Sequence, residues 1–302
     1  MKTSQQELYQ EEIARCRRLY RGFENLEPFL LEAFQAVFSF IESYEEREGI
    51  LEKVNFDKRK AWSRLKNGES MEINPTIQTR ALVGILNELG QAVVRISPEI
   101  KDSITNFQKI LENFQEKSKE RVLKEEVWKL KELVVGEDIL ARDMATFIFT
   151  LALSAIYRFN LEAVSKGLRT DLWEGGNCAL CGEKPHFGLL RSEDGAKIIE
   201  CWLCGTQWNH IRIKCPYCSN TEQEQLGFFT VEENDSCRVQ FCKKCSSYYK
   251  LFDTRSIAGE NIVLSVHNLA TLSYDLLARE EGFKAGSGLE WVNEGEKLEL
   301  DD

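Results

Sequence analysis

The chain has 302 residues, 43% hydrophobic and 10% aromatic, which is ample for two cores and too apolar for a disordered polymer. Its formal net charge of −10 excludes a general basic footprint for nucleic acid or anionic lipid, so proteins are the expected partners. The opening MKTSQQELYQEEIARCRRLY lacks the apolar run of a secretion signal, and its acidic residues argue against a transit peptide, so a cytoplasmic location is expected.

From Leu8 to about Leu168 apolar residues recur at intervals of three and four, which predicts an all-helical block. Phe29, Leu30, Ala33, Phe34, Val37 and Phe40 form one stripe. Asn74-Pro75 supplies a turn, after which Ile77, Leu82, Ile85, Leu86 and Leu89 line a second helical face. Ser97-Pro98 restarts a helix through Ile104, Phe107 and Leu111, and Val135-Gly136-Glu137-Asp138 punctuates the chain before a long helix from about Ile139 to Val164. Roughly six or seven helices are expected. Within the last of them, Met144 to Tyr157 runs 14 residues without a charge. A spanning helix needs about 20, so this stretch reads as a buried core helix, without membrane insertion.

The pattern changes at Gly175-Gly176-Asn177. Asp194-Gly195 lies between His186–Leu190 and Lys197–Glu200, a hairpin signal. A second hairpin is expected from Leu226–Val231 and Arg238–Phe241 across a polar turn at Glu233-Asn234-Asp235. HNLATLSYDLLAREEG returns to helical spacing and stops at Gly282, while the acidic tail Asn293–Asp302 is expected to be disordered. The expected class is therefore α+β. It comprises an all-helical domain over 1–170, a tandem ribbon domain over 171–256 made of zinc-ribbon-like metal modules with four cysteines each, and a C-terminal helix and tail over 257–302.

Of ten cysteines, only Cys16 precedes residue 178. Eight of the others form CxxC pairs: Cys178/Cys181, Cys201/Cys204, Cys215/Cys218 and Cys242/Cys245. Two intervening residues let one tight turn present both thiolates to one metal, and two such turns complete a tetrahedral shell. Eight ligands make two sites. Sequential pairing needs only local closure, because each candidate hairpin lies between its two pairs, whereas a crossed arrangement does not. All-thiolate shells admit zinc or a single iron. Gly182 and Gly205 directly follow two pairs, where a positive φ turns amides toward sulfur, and Ser219 and Ser246 occupy the matching places. Cys237 shares a strand face with Val239 and Phe241 and is expected in the core. Cys16 reads as an incidental thiol on a charged helix far from the ribbons. His186, His210 and His267 read as ordinary surface or strand residues, since eight thiolates already fill two shells.

At these residues the chain resembles the formate dehydrogenase accessory protein family, FdhE. The resemblance rests on Trp173, Cys178–Gly182, Cys201–Trp208, Arg212, Cys215–Cys218, Cys242–Cys245 with Tyr248-Tyr249-Lys250, and the segment from Leu269 to Phe283. It implies a cytoplasmic protein needed for active formate dehydrogenase, contacting its catalytic subunit and binding iron in rubredoxin-like sites. No paired carboxylates, activated serine or phosphate loop suggests catalysis, and four thiolates leave no open metal position. The first reading is a non-enzymatic assembly factor with two metal ions, iron or zinc. A rubredoxin-like electron carrier is the second. A zinc-ribbon nucleic-acid binder using Arg212, Lys214, Arg238, Lys243 and Lys244 is the third, and the net charge weakens it. Whether the chain forms a homo-oligomer is left open by the sequence.

Overall fold

The structure is a computed structural model that describes residues 5–20, 23–48, 57–137, 139–165, 173–231, 234–257 and 262–286. The acidic tail, part of the turn after Val231 and the expected boundary near residue 170 lie outside the described residues.

Among the described residues, seven α-helices occupy the first half: α1 (Gln5–Leu19), α2 (Glu27–Glu48), α3 (Lys58–Lys66), α4 (Thr79–Ile96), α5 (Lys101–Lys117), α6 (Lys124–Gly136) and α7 (Arg142–Ser165). Local chemistry sets several of their starts. The Asp57 carboxylate accepts from the Arg59 and Lys60 amides to cap α3, and Glu126 reaches back to the Leu123 amide ahead of α6. In α4 the apolar residues at 82, 85, 86, 89 and 93 are all buried, as their spacing requires. The block is not purely helical. Ile77–Gln78 (β1) pairs with Arg121–Val122 (β2), and the Thr79 amide bonds to the Glu120 carbonyl, tying the entry of α4 to the loop after α5.

Helix α7 is longer than its uncharged run. By length and composition Arg142–Leu161 could cross a membrane, the one such helix among the described residues. The 14-residue limit read from the sequence fails because Arg158 stays in the helix, with its charge turned toward Glu200. Ile148, Phe149, Ala152, Leu153, Tyr157 and Leu161 are fully buried, and α4 and α6 pack against the helix, so that 56% of the candidate span is buried inside the protein.

The second half contains β3 (Phe187–Leu190), β4 (Lys197–Glu200), β5 (Gln207–His210), β6 (Leu226–Phe229), β7 (Cys237–Cys242), β8 (Ser247–Asp253), α8 (Leu264–Ala270), α9 (Leu272–Glu280) and β9 (Lys284–Ala285). Both expected hairpins form, β3–β4 and β6–β7, each antiparallel. Each gains a third strand that periodicity did not single out, β5 on β4 and β8 on β7. The two three-stranded units then join through a parallel pairing of β3 with β8, Phe187 opposite Lys250, to give one sheet in the order β5-β4-β3-β8-β7-β6. The single C-terminal helix read from the sequence is two helices, broken at Thr271, and Gly282 at φ +86° closes the second. Buried Lys250 on β8 donates to the carbonyls of Asn268 and Thr271 and to Asp275 Oδ2 at 2.6 Å, which fixes both helices to the sheet.

Burial adds to two expectations here. Cys16, read as an incidental thiol on a charged helix, is fully buried, because its face of α1 packs on α8. His186, His210 and His267, read as surface or strand residues, are all buried: His210 is a strand residue in β5, whereas His186 precedes β3 and His267 lies on α8.

Candidate metal centre

The structure gathers the eight paired cysteines into two groups, Cys178/Cys181/Cys201/Cys204 and Cys215/Cys218/Cys242/Cys245. This is the sequential arrangement. In the first, Sγ–Sγ distances are 3.5 Å for Cys178–Cys204, 3.6 Å for Cys181–Cys201 and 3.5 Å for Cys181–Cys204. In the second, Cys215–Cys245 and Cys218–Cys242 are each 3.7 Å apart. A disulfide needs about 2.0 Å. Four thiolates around a tetrahedral ion with bonds of about 2.3 Å sit about 3.8 Å apart, so the donor sets fit a metal.

Each group is built from two turns at the ends of a hairpin. In three of the turns the first cysteine's amide donates to the carbonyl five residues on, and its own carbonyl accepts from the amide four residues on, as in Cys201 N to Thr206 O and Gly205 N to Cys201 O, both 2.9 Å. Closing that loop requires a left-handed residue after the second cysteine. Gly182 and Gly205 have φ of +82° and +71°, and Ser219 and Ser246 take +59° and +52° despite their side chains. Amides then face sulfur, with Leu180 N and Tyr217 N each 3.4 Å from Cys178 Sγ and Cys215 Sγ. Thr206 Oγ1 lies 3.2 Å from Cys204 Sγ.

The two groups differ in their surroundings. The first is enclosed: all four cysteines are buried, and the Met71 and Ile73 amides bond to the carbonyls of Ala179 and Leu180. From α7, Ser154 Oγ donates to the Trp202 carbonyl, and Arg158 Nη2 reaches Glu200 Oε1 at 2.9 Å. Gly205 makes room for this arginine, since a Cβ there would lie 2.6 Å from Nη1. Sequence reading missed Ser154 and Arg158, whose only signal is two polar residues one turn apart in an apolar helix. Trp173 and Trp208 brace the same region by donating to the carbonyls of Asn177 and Gly175.

The second group lies at the surface, with Cys218 exposed and Cys245 half-buried. Lys197 joins the two groups. Its ammonium donates to the carbonyls of Arg212 and Lys214 in the connector and to Tyr249 Oη at 3.1 Å. Burial lowers its pKa to about 7, and nearby Arg212 adds to the effect. Cys237 is fully buried on β7 and belongs to neither group, as strand alternation predicts. Within the basic cluster, Arg238 faces Asp253 and lies over the Phe228 ring, and Lys244 is 3.7 Å from Glu222, so two of its five charges have local partners.

Residues 213–289 match the family model described as FdhE, C-terminal domain. A protein named FdhE homolog from Aquifex aeolicus (strain VF5) is 33% identical over 150 residues, covering 49% of this chain and 52% of that protein. The namesake from Proteus mirabilis (strain HI4320) is 27% identical over 242 residues, 78% of this chain and 68% of its own. The first of these matches spans about half the length of the relative. The crystal structure of the FdhE protein from Pseudomonas aeruginosa superposes with a TM-score of 0.60 over 98% of this chain and 99% of that one, at 17% identity, and so shares the fold. The matched C-terminal domain contains the second thiol group and most of the sheet it rests on, while the shared fold takes in the helices as well, so the chain is similar to FdhE proteins in sequence over that domain and in fold throughout.

Proposed function

We propose that this chain is a cytoplasmic accessory protein of formate dehydrogenase that binds the immature catalytic subunit and turns over no substrate itself. The observation that carries the reading is the pair of closed four-thiol groups in a chain of FdhE type. In this reading Cys178, Cys181, Cys201 and Cys204 hold one ion, and Cys215, Cys218, Cys242 and Cys245 hold a second. Either zinc or iron suits four sulfurs, and the resemblance favours iron. Such an ion supplies folding energy to its ribbon, and iron adds one-electron chemistry. Four thiolates fill a tetrahedral shell, so substrate has no place on the metal. The enclosed first group keeps the helices and sheet in register, and the exposed second group with its connector is the face offered to the client.

Two measurements test this: formate oxidation in a strain lacking the protein, and co-purification of the catalytic subunit with wild-type and Cys215→Ala protein. The expected result is inactive but synthesised formate dehydrogenase in the deletion strain, and a complex weakened by the substitution, since ordering a loosened ribbon costs binding energy. Normal formate oxidation together with no co-purification sinks the reading. The exposure of Cys218 supports a second reading, an electron carrier, which visible absorption that bleaches and returns through redox cycles with soluble partners would favour.

A further inference from the structure

Glu12, Cys16 and Tyr20 follow one another at four-residue intervals, so they line one face along α1, and the Tyr20 amide continues the helical ladder by bonding to the Cys16 carbonyl. That face packs on α8, which carries His267. Glu12, Cys16 and His267 are each at most 1% exposed, and a carboxylate oxygen, the thiol sulfur and an imidazole nitrogen lie within 4.8 Å of one another. His267 Nε2 faces Glu12 Oε1. The atoms pointing away from the centre are also engaged: His267 Nδ1 is 2.7 Å from Tyr20 Oη, and Glu12 Oε2 accepts from Arg15 Nη1 at 2.7 Å. Ligands of bound metals are oriented in this way, each held by a partner on its outer atom.

We propose that Glu12, Cys16 and His267 form a third metal site, of mixed oxygen, sulfur and nitrogen donors, for a zinc-class divalent ion that clamps the first helix of the chain to α8. Zinc accepts these donors at about 2.0–2.3 Å, which places ligand atoms about 3.3–3.8 Å apart, so the hydrogen-bonded His267 Nε2 and Glu12 Oε1 must move apart to admit the ion between them and the Cys16 sulfur. On binding, the Cys16 S–H bond breaks and its proton leaves to solvent. The neutral His267 ring gives up the proton between its Nε2 and Glu12 Oε1 and carries one on Nδ1 instead, where Tyr20 Oη accepts its hydrogen bond. Sulfur, nitrogen and oxygen bonds to the metal form, with a net release of one proton for each ion. Three protein ligands leave the fourth tetrahedral position to water. The donor set separates this site from the two all-sulfur groups, which are satisfied without it, and the inference stands whether or not the client is formate dehydrogenase.

The test uses the full-length chain, purified anaerobically and loaded with zinc, with metal counted by elemental analysis in the wild type, Cys16→Ala and Cys237→Ala. Cys16→Ala is expected to hold one ion per chain fewer than the wild type, while Cys237→Ala, which removes an equally buried thiol outside the cluster, holds the same number. Equal metal content in Cys16→Ala and the wild type overturns the proposal. Zinc-edge X-ray absorption of the wild type needs no variant: a first shell of sulfur alone overturns the site, and nitrogen or oxygen scatterers beside sulfur are expected. Should Cys16→Ala fail to fold, that spectrum decides.

Discussion

His186 and His210 are held neutral by the apolar matter around them, and burial lowers the pKa of each ring to about 4. For His210 the neighbouring Lys197 charge adds to the effect. In the unfolded chain both rings titrate near 6.5, so between about pH 6.5 and 4 the unfolded state binds protons that the native state refuses. The stability from keeping these rings neutral is complete above about pH 6.5 and is lost as pH falls toward 4, by at most about 3 kcal/mol per ring. Urea unfolding of wild type and His186→Gln at pH 7.0, 6.0 and 5.5 checks this. The variant is expected to lose less stability than the wild type over that interval, and parallel losses would remove His186 from the account.

At the level of elements, the same turn-hairpin-turn unit occurs twice with different protection. The first sits under α7 and the 71–73 segment, with all four of its thiols buried. The second carries exposed Cys218 on a surface turn. Local opening is easier where few buried contacts must break, so a competing chelator is expected to strip one ion per chain roughly tenfold or more faster than the other. Cys218→Ala should abolish the fast phase and leave helical circular dichroism intact, whereas Cys201→Ala should lower the thermal midpoint of the whole chain. A single phase for both ions, or loss of the slow phase in Cys218→Ala, would contradict the assignment.

Across the whole molecule, helices and sheet share one apolar core, and a buried ion pair lies where the sheet meets the C-terminal helices. Lys250 and Asp275 are 0% and 2% exposed, and Tyr248 Oη donates to the other carboxylate oxygen of Asp275 at 2.9 Å. Lys250→Met leaves a buried carboxylate without its cation and is expected to cost about 3–5 kcal/mol. The double variant Lys250→Met/Asp275→Leu removes both charges and should recover part of that loss in equilibrium unfolding. Additive losses would show that the pair does not act as a unit.

The sequence by itself determined the helical first half, both hairpins, the eight cysteines and the turn positions after them. Each follows from interactions within a few residues: apolar spacing, turn chemistry, and the reach of two thiolates across one loop. Sequential grouping of the pairs was favoured on the same ground, because each group closes across its own hairpin. Only the tertiary structure decided that β3 lies parallel to β8 and merges the two ribbons, that Arg158 and Ser154 reach from α7 to the second turn, and that Glu12 and Cys16 face His267 about 250 residues away. These contacts join segments far apart in the chain, and neither partner's local pattern carries a trace of the other. Burial decided the rest: neither Cys16 nor the three histidines carries a local pattern that marks it as buried, and only packing against another element takes them out of water.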